Sequence, residues 1–190
     1  MMKFLRSIGD AYLRWRHSHG FGVHSPFAYS LVKRAVRPGR KYKFYGYRYI
    51  DELLSDKDLE WYPGIRRDAK FLLRLLVALG VKRMIYYHDW DTAFYEAGNG
   101  AGVVVYPADL RQLPEPKPND FILFMSECDD NEAIERLLAD GTPVMAIFPS
   151  DSMKRILMQY DKNGVRFEGK RITLVVPNPD VAFVAYKMRF

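Results

Sequence analysis

The fold is decided by four short apolar runs: MIYY at 84–87, VVVY at 103–106, FILFM at 121–125 and VMAIF at 144–148. Each run has the length of one strand, and polar residues do not alternate with the apolar ones. Such continuous runs are typical of strands that are buried on both faces of a parallel sheet. The sequence therefore predicts an α/β fold with a mostly parallel sheet.

Helical patterns and a second pair of strands follow these runs. NEAIERLLADG (131–141) and DSMKRILMQYDKNG (151–164) each end at a glycine, as helices often do. The tail contains the apolar stretches 172–176 and 181–188, which are separated by only four residues. A connection this short predicts an antiparallel hairpin. We predict about six strands, with only the last antiparallel, near 83–87, 102–106, 120–125, 143–148, 171–176 and 181–187.

The N-terminal quarter has a different character. Helical periodicity covers residues 3–16 and 26–36, and a third helix is predicted at 67–79, before Gly80. Between them, RKYKFYGYRYI (40–50) is predicted to be extended or looped. We divide the chain into a basic helical and aromatic extension, residues 1–50, and an α/β domain, residues 51–190, on which the extension docks.

Charge is unevenly distributed along the 190 residues. Residues 1–50 carry eleven basic residues and one acidic residue, whereas residues 51–150 carry ten basic and eighteen acidic residues. A basic arm can bind an external polyanion or fold back onto its own domain, and we favour the second interpretation.

Composition narrows the class of protein. The only cysteine, Cys128, excludes an internal disulfide and indicates a reducing compartment. The charged N-terminus does not fit a signal peptide, and no apolar stretch approaches the ~20 residues that span a bilayer. We therefore expect a soluble, cytoplasmic protein with no membrane span.

The string HGFGVHSPF at 19–27 carries a family resemblance. It resembles the N-terminal signature of a group of bacterial class I S-adenosylmethionine-dependent methyltransferase-like proteins, in which a basic extension with an HSPF-type segment precedes the α/β domain. The Leu-rich helix before MIYY and the C-terminal hairpin also resemble that group. The resemblance implies a Rossmann-like, methyltransferase-type fold and, for active members, S-adenosylmethionine as cofactor.

The chain departs from this pattern where the cofactor binds. In such enzymes the first strand leads into an acidic residue and a Gly-rich turn, but residues 88–94 contain no glycine. The sequence EAGNGAG at 96–102 has the right glycine spacing, yet a strand follows it instead of a helix. We predict that residues 98–102 form the turn into the second strand. The segment 107–119 is also too short for the usual insert, so one strand is predicted to be missing.

Carboxylates near the predicted strand ends are the candidates for chemistry. Asp109 follows the second strand, where such folds often hold the ribose hydroxyls, and Asp89 and Asp91 follow the first. Capping or solvated loop roles are alternatives for all three. An acidic cluster follows the third strand and comprises Glu127, Asp129 and Asp130. Asp151 is the only candidate carboxylate across the gap from it, and the cluster is more typical of helix capping than of a metal site.

The histidines and the cysteine could act as metal ligands or as a nucleophile, but the sequence offers them no suitable partner residues. His17, His19 and His24 have no cysteine or carboxylate at zinc spacing, so structural hydrogen bonds are the better interpretation. Cys128 has no identifiable base, which a catalytic thiol needs. The sequence predicts no catalytic residue and no metal site.

The aromatic and basic stretch 40–49 has two interpretations. Cations interleaved with aromatic rings can hold phosphates and stack bases in single-stranded nucleic acid. The same rings can instead pack the extension onto the domain or onto a second subunit, and we favour packing. The candidate nucleic-acid residues are Lys41, Tyr42, Lys43, Tyr47 and Arg48.

Together these observations predict a degenerate methyltransferase-like protein that binds a partner, regulates or has a structural role, without a cofactor. A homodimer or protein partner suits this role. The first alternative is an S-adenosylmethionine-dependent methyltransferase with an atypical cofactor site formed by Asp89, Gly98, Gly100 and Asp109. The second alternative is nucleic-acid binding through the extension.

Overall fold

The structure, a computed structural model, describes residues 2–20, 22–38, 46–56, 62–87, 92–108, 115, 117–125 and 131–190. These residues form seven strands: β1 Arg83–Tyr87, β2 Val104–Pro107, β3 Asp120–Met125, β4 Val144–Ile147, β5 Gly164–Glu168, β6 Ile172–Pro177 and β7 Val184–Lys187. Within the same residues lie seven α-helices: α1 Met2–Ser18, α2 Pro26–Leu31, α3 Tyr47–Leu53, α4 Ile65–Leu79, α5 Thr92–Gly100, α6 Asn131–Ala139 and α7 Asp151–Gln159. A π-helical turn, Val32–Val36, continues α2.

All seven strands form one mixed sheet in the order β2-β1-β3-β4-β6-β5-β7. Strands β1 to β4 pair in parallel, as predicted from their apolar runs. Strand β6 is antiparallel to both neighbours, β4 and β5, and β5 pairs in parallel with β7. One strand, β6, therefore runs against the other six. The predicted α/β class with a mostly parallel sheet is confirmed.

Two parts of the strand prediction were wrong. The sheet has seven strands and not six, because β5 was missed. Its sequence, GVRFE, carries charged residues, and Arg166 is only 9% exposed. Arg166 donates hydrogen bonds to Glu168 Oε1 at 2.9 Å and to the carbonyl oxygens of Met158 and Tyr160 at 2.7 and 2.8 Å. These partners make burial of the charge tolerable, but they are not adjacent in sequence.

The predicted closing hairpin pairs the wrong strands. The antiparallel hairpin joins β5 to β6, and β7 lies on the far side of β5. The segment after β6 passes the start of β5, where Gly164 N donates to the Val181 carbonyl oxygen at 2.8 Å. The short connection does reverse the chain direction between β6 and β7, but β5 lies between them. The last strand is consequently parallel to its neighbour.

Helices cover both faces of the sheet, and alternate strand residues belong to two apolar clusters, one on each face. On one face, Met84 and Tyr86 pack with side chains of α4 and α5, including Leu72 and Phe94. On the other face, Ile85 and its neighbours pack with side chains of α6 and α7. This two-sided burial explains the continuous apolar runs of β1, β3 and β4. The expectation was wrong for β2, which lies at the edge of the sheet and is mostly exposed.

Contacts between the N-terminal helices and the domain include two hydrogen-bonded regions. Helix α1 packs on β7, where Lys187 Nζ lies 2.7 Å from Asp10 Oδ1 and the Arg189 backbone N–H donates to Ser18 Oγ at 2.6 Å. The π-helical turn packs on α4, where the buried Arg74 Nε donates to the Ala35 carbonyl oxygen at 2.5 Å. Ser25 caps α2, since its Oγ accepts from the Ala28 N–H at 3.3 Å.

Candidate functional site

Strand order reverses between β1 and β3, because β2 lies to one side of β1 and β3 to the other. In open α/β sheets, ligands bind outside the carboxyl ends of the strands at such a point. The segments that follow β1 and β3 there, 88–91 and 126–130, lie outside the described residues. The predictions for Asp89, Asp91, Asp109 and the acidic cluster at 127–130 therefore stay predictions, as does that for Cys128.

The two candidate glycines lie at the opposite edge of the sheet. Helix α5 extends to Gly100, so the predicted turn at 98–102 is wrong for its first three residues; the turn itself contains Gly102, which has a φ of +71°. Gly98 accepts from the Val103 N–H just before β2 begins. Gly98 and Gly100 thus stand at the amino end of the strands, away from the crevice in which a cofactor would bind.

Close packing explains why glycine occupies both positions. A Cβ at Gly98 would collide with Val105 Cγ2, and a Cβ at Gly100 would lie 2.9 Å from both Gly46 Cα and Leu73 Cδ1. These glycines let α5 approach β2, α3 and α4. Sequence spacing alone could not distinguish this role from phosphate or cofactor binding.

Of the candidate nucleic-acid residues, only Tyr47 and Arg48 belong to the described residues; Lys41, Tyr42 and Lys43 lie outside them. Both begin helix α3, so the prediction of an extended or looped segment was wrong from residue 47 onward. The Tyr47 hydroxyl accepts a hydrogen bond from Arg74 Nη1 at 2.8 Å, and Lys70 Nζ lies 5.2 Å from its ring centroid. Tyr47 therefore attaches α3 to α4, which favours the packing interpretation of this residue.

Two of the three candidate histidines, His17 and His19, make hydrogen bonds to backbone. His17 Nδ1 donates to the Lys187 carbonyl oxygen at 3.1 Å, and its ring meets the Tyr186 ring edge-on at 5.4 Å. His19 Nδ1 donates to the Trp15 carbonyl oxygen at 2.7 Å. Within the described ranges, no cluster of three or more His, Cys, Asp or Glu residues could hold a metal ion.

We expect His17 to titrate below its ordinary pKa of 6.5. Burial against β7 lowers the pKa of His17, the hydrogen bond to Lys187 raises it, and the nearby Arg16 lowers it again. As the pH falls below 6.5, the His17 ring of the unfolded chain is protonated before that of the folded chain. His17 therefore stabilises the fold above pH 6.5, and this contribution to stability is lost as the pH falls through the pKa of the folded state.

An NMR titration of the His17 ring should therefore give a midpoint below 6.5. In urea unfolding, His17→Gln should reduce the loss of stability between about pH 7.5 and 5.5. A midpoint above 6.5 would contradict the burial argument.

A basic cavity opens at the carboxyl edge of the sheet, at the end formed by β5, β6 and β7. Its volume is about 360 Å³, within the range of small-molecule sites. No described acidic side chain lines the cavity. Five cationic side chains from four separate parts of the chain do so: Arg14, Arg67, Lys170, Arg171 and Arg189. Apolar groups complete the lining, among them Ile172, Met188 and Phe190.

A buried carboxylate positions two of the cations. Asp68, in the first turn of α4, is fully buried and accepts a hydrogen bond from the Tyr62 hydroxyl at 3.0 Å. Arg171 donates to Asp68 Oδ2 through Nη2 at 3.1 Å and through Nε at 3.2 Å. Arg67 Nε lies 3.5 Å from Asp68 Oδ1. The amino terminus of α4, with its partial positive charge, lies at the same place.

The other three cations are not engaged in this way. In the part of the chain that the structure describes, no ion pair involves Arg14, Lys170 or Arg189. The Nε atom of Arg14 is buried and has no hydrogen-bond partner among the described residues. Lys170 and Arg189 are exposed.

A smaller hollow of about 200 Å³ adjoins the cavity and shares Lys170 and Arg171 with it. Asp151 and Phe148 line this hollow. Phe148 follows β4 with a φ of +52°, an uncommon conformation for a bulky residue. Its N–H donates to the Arg171 carbonyl oxygen at 2.7 Å, and its ring meets that of Tyr62 edge-on. Asp151 was a candidate from the sequence, but the cations of the cavity were not. Their only sequence signal is the excess of basic over acidic residues in 1–50, eleven against one, and in 151–190, eight against four.

Among the helices of the described residues, none is both long and apolar enough to cross a membrane. Comparison with protein-family models found no match, and no curated protein matches the chain. The geometry of the chain itself therefore has to support any functional conclusion.

Proposed function

We propose that this chain is a degenerate methyltransferase-like protein that acts by binding and not by catalysis. The observation that carries the proposal is the position of Gly98 and Gly100, which pack helix α5 at the amino edge of the sheet. The sequence offers no other glycine for a turn after β1, because residues 88–94 contain none. Strands β2 and β3 are separated by only residues 108–119, which is too short for another strand with its helices. One antiparallel strand near the C-terminus, β6, supports the proposal, although it forms its hairpin with β5 and not with β7.

Titration calorimetry with S-adenosylmethionine and S-adenosylhomocysteine tests this proposal. We expect no heat of binding for either compound at concentrations of about 100 μM, because the glycine turn that would hold the cofactor is missing. A dissociation constant in the low micromolar range for either compound would overturn the proposal.

The first alternative is a methyltransferase with an atypical cofactor site. The reversal of strand order between β1 and β3 favours it, since the crevice there is suited to a ligand. With Gly98 and Gly100 at the other edge, the site would depend on Asp89 and Asp109. Under this alternative, Asp109→Ala should weaken S-adenosylmethionine binding about tenfold, or about 1.4 kcal/mol. An unchanged titration would eliminate this alternative.

The second alternative is nucleic-acid binding through Lys41, Tyr42, Lys43, Tyr47 and Arg48. Because Tyr47 is engaged with Arg74, we expect no sub-micromolar complex with single-stranded RNA at physiological salt. If a complex does form, replacing Lys41, Lys43 and Arg48 by alanine should flatten the logarithmic salt dependence of binding by about two units. A tight complex with that behaviour would make the extension a binding arm.

A further inference from the structure

We propose that the basic cavity binds a small phosphate compound. Its phosphate groups carry two or more negative charges, and an apolar group lies next to them. The inference names the ligand class of the binding function proposed above and rests on that function. It begins from the charge of the cavity, where five cations and no described carboxylate line about 360 Å³. Like charges confined in this way repel one another unless an anion is present between them.

Two of the cations are positioned before a ligand arrives. Asp68 is fully buried and receives both Nε and Nη2 of Arg171, so the guanidinium plane is fixed. Arg67 approaches the same carboxylate. A planar guanidinium can bind phosphate oxygens through two parallel hydrogen bonds, and its prior orientation lowers the entropy lost on binding. The amino terminus of α4 adds positive potential at this point.

The remaining cations can still bind a ligand. Arg14 lines the cavity, and its buried Nε lacks a hydrogen-bond partner among the described residues. A buried donor without a partner is uncommon and costs free energy. No described carboxylate pairs with the Arg14 guanidinium, so its charge can attract an anion into the cavity. Lys170 and Arg189 lie at the surface, where they can close over a second phosphate group.

The apolar lining indicates what the phosphate is attached to. Ile172 and Met188 are buried in the fold, and the half-buried Phe190 ring packs 4.7 Å from that of Phe71. The cavity volume is that of a site for a small molecule. The described residues of its lining do not include the row of aromatic rings on which successive bases of a nucleic acid stack. A small phosphate compound with an apolar group therefore fits better than a polymer.

Calorimetry with inorganic phosphate, pyrophosphate and phenyl phosphate tests the inference on the full chain, at about 150 mM NaCl. We expect pyrophosphate to bind at least about tenfold more tightly than inorganic phosphate, because more cations can be engaged. Phenyl phosphate, which adds only an apolar ring to a similar charge, should also bind more tightly than inorganic phosphate. Equal affinities for phenyl phosphate and phosphate would refute the apolar part of the proposal.

A double variant, Arg14→Gln with Arg189→Gln, should weaken pyrophosphate binding by at least about tenfold. The control is Arg136→Gln, an exposed cation on α6 away from the cavity, which should leave the affinity unchanged. Circular dichroism would verify that all variants fold, and the amide NMR signals of residues 170–172 should shift as pyrophosphate is added.

Three outcomes would overturn the inference: no pyrophosphate binding at millimolar concentration, equal weakening in the double variant and the control, or displacement of pyrophosphate by a much more tightly bound oligouridylate. The last result would assign the cavity to RNA. The test is separate from that of the proposed function, because S-adenosylmethionine carries no phosphate. Binding of that cofactor would overturn the proposed function, whereas a failed pyrophosphate titration without cofactor binding would overturn this inference alone.

Discussion

Replacing Gly164 by alanine should lower the free energy of unfolding by about 3 kcal/mol. Gly164 begins β5 with a φ of +132°, a conformation that residues with a Cβ rarely adopt. An added Cβ would collide with the Val176 carbonyl oxygen and lie 2.8 Å from Pro177 Cα. Both atoms belong to the backbone of β6, which cannot move without breaking the pairing of β5 with β6.

Urea unfolding, followed by circular dichroism, measures this loss. Gly9→Ala is the matched control, because Gly9 lies within helix α1 and a Cβ there would have no atom within 4 Å. Alanine favours a helix over glycine by up to about 1 kcal/mol, so the control should be neutral or slightly stabilising. A loss below about 1 kcal/mol in Gly164→Ala would show that the β5–β6 pairing is more adaptable than its backbone contacts indicate.

The parallel part of the sheet was predictable, whereas the C-terminal part was not. Strands β1, β3 and β4 are buried on both faces, so their apolar runs carry the information. In β5, the charge of Arg166 hides the strand, because its partners, the carbonyl oxygens of Met158 and Tyr160, come from the end of α7. A local pattern cannot reveal a charge that is compensated by tertiary contacts.

The candidate sites show the same limit. The glycine spacing at 96–102 fits two roles, and only the contacts of Gly98 with Val105 and of Gly100 with Gly46 identify packing. The basic cavity could not be predicted either, because Arg14 and Arg189 come from opposite ends of the chain and meet only when α1 packs on β7. What the sequence did indicate was the general excess of basic charge in these two segments.

Replacing Asp68 by alanine should also cost about 3 kcal/mol of stability. The carboxylate is fully buried, and its loss would leave the Tyr62 hydroxyl without this acceptor and Arg171 without its counter-charge. The side chain of Arg171 is 28% exposed, so water can solvate part of the unpaired charge in the variant. The expected loss of stability is therefore smaller than that for a fully buried pair. Urea unfolding at neutral pH measures the difference.

Two further variants separate the causes of this loss. Asp68→Asn keeps the volume and an acceptor for Tyr62 but removes the charge, so any loss that it shares with Asp68→Ala belongs to the pairing with Arg171 and Arg67. Asp51→Ala is the surface control: Asp51 Oδ2 lies 2.6 Å from Lys70 Nζ, but its side chain is 43% exposed. Exposed pairs contribute about 1 kcal/mol or less, so this variant should lose little. Equal losses of stability in Asp51→Ala and Asp68→Ala would show that burial does not strengthen the ion pairs of Asp68. The role of Asp68 in fixing Arg171 at the cavity would then have no physical basis.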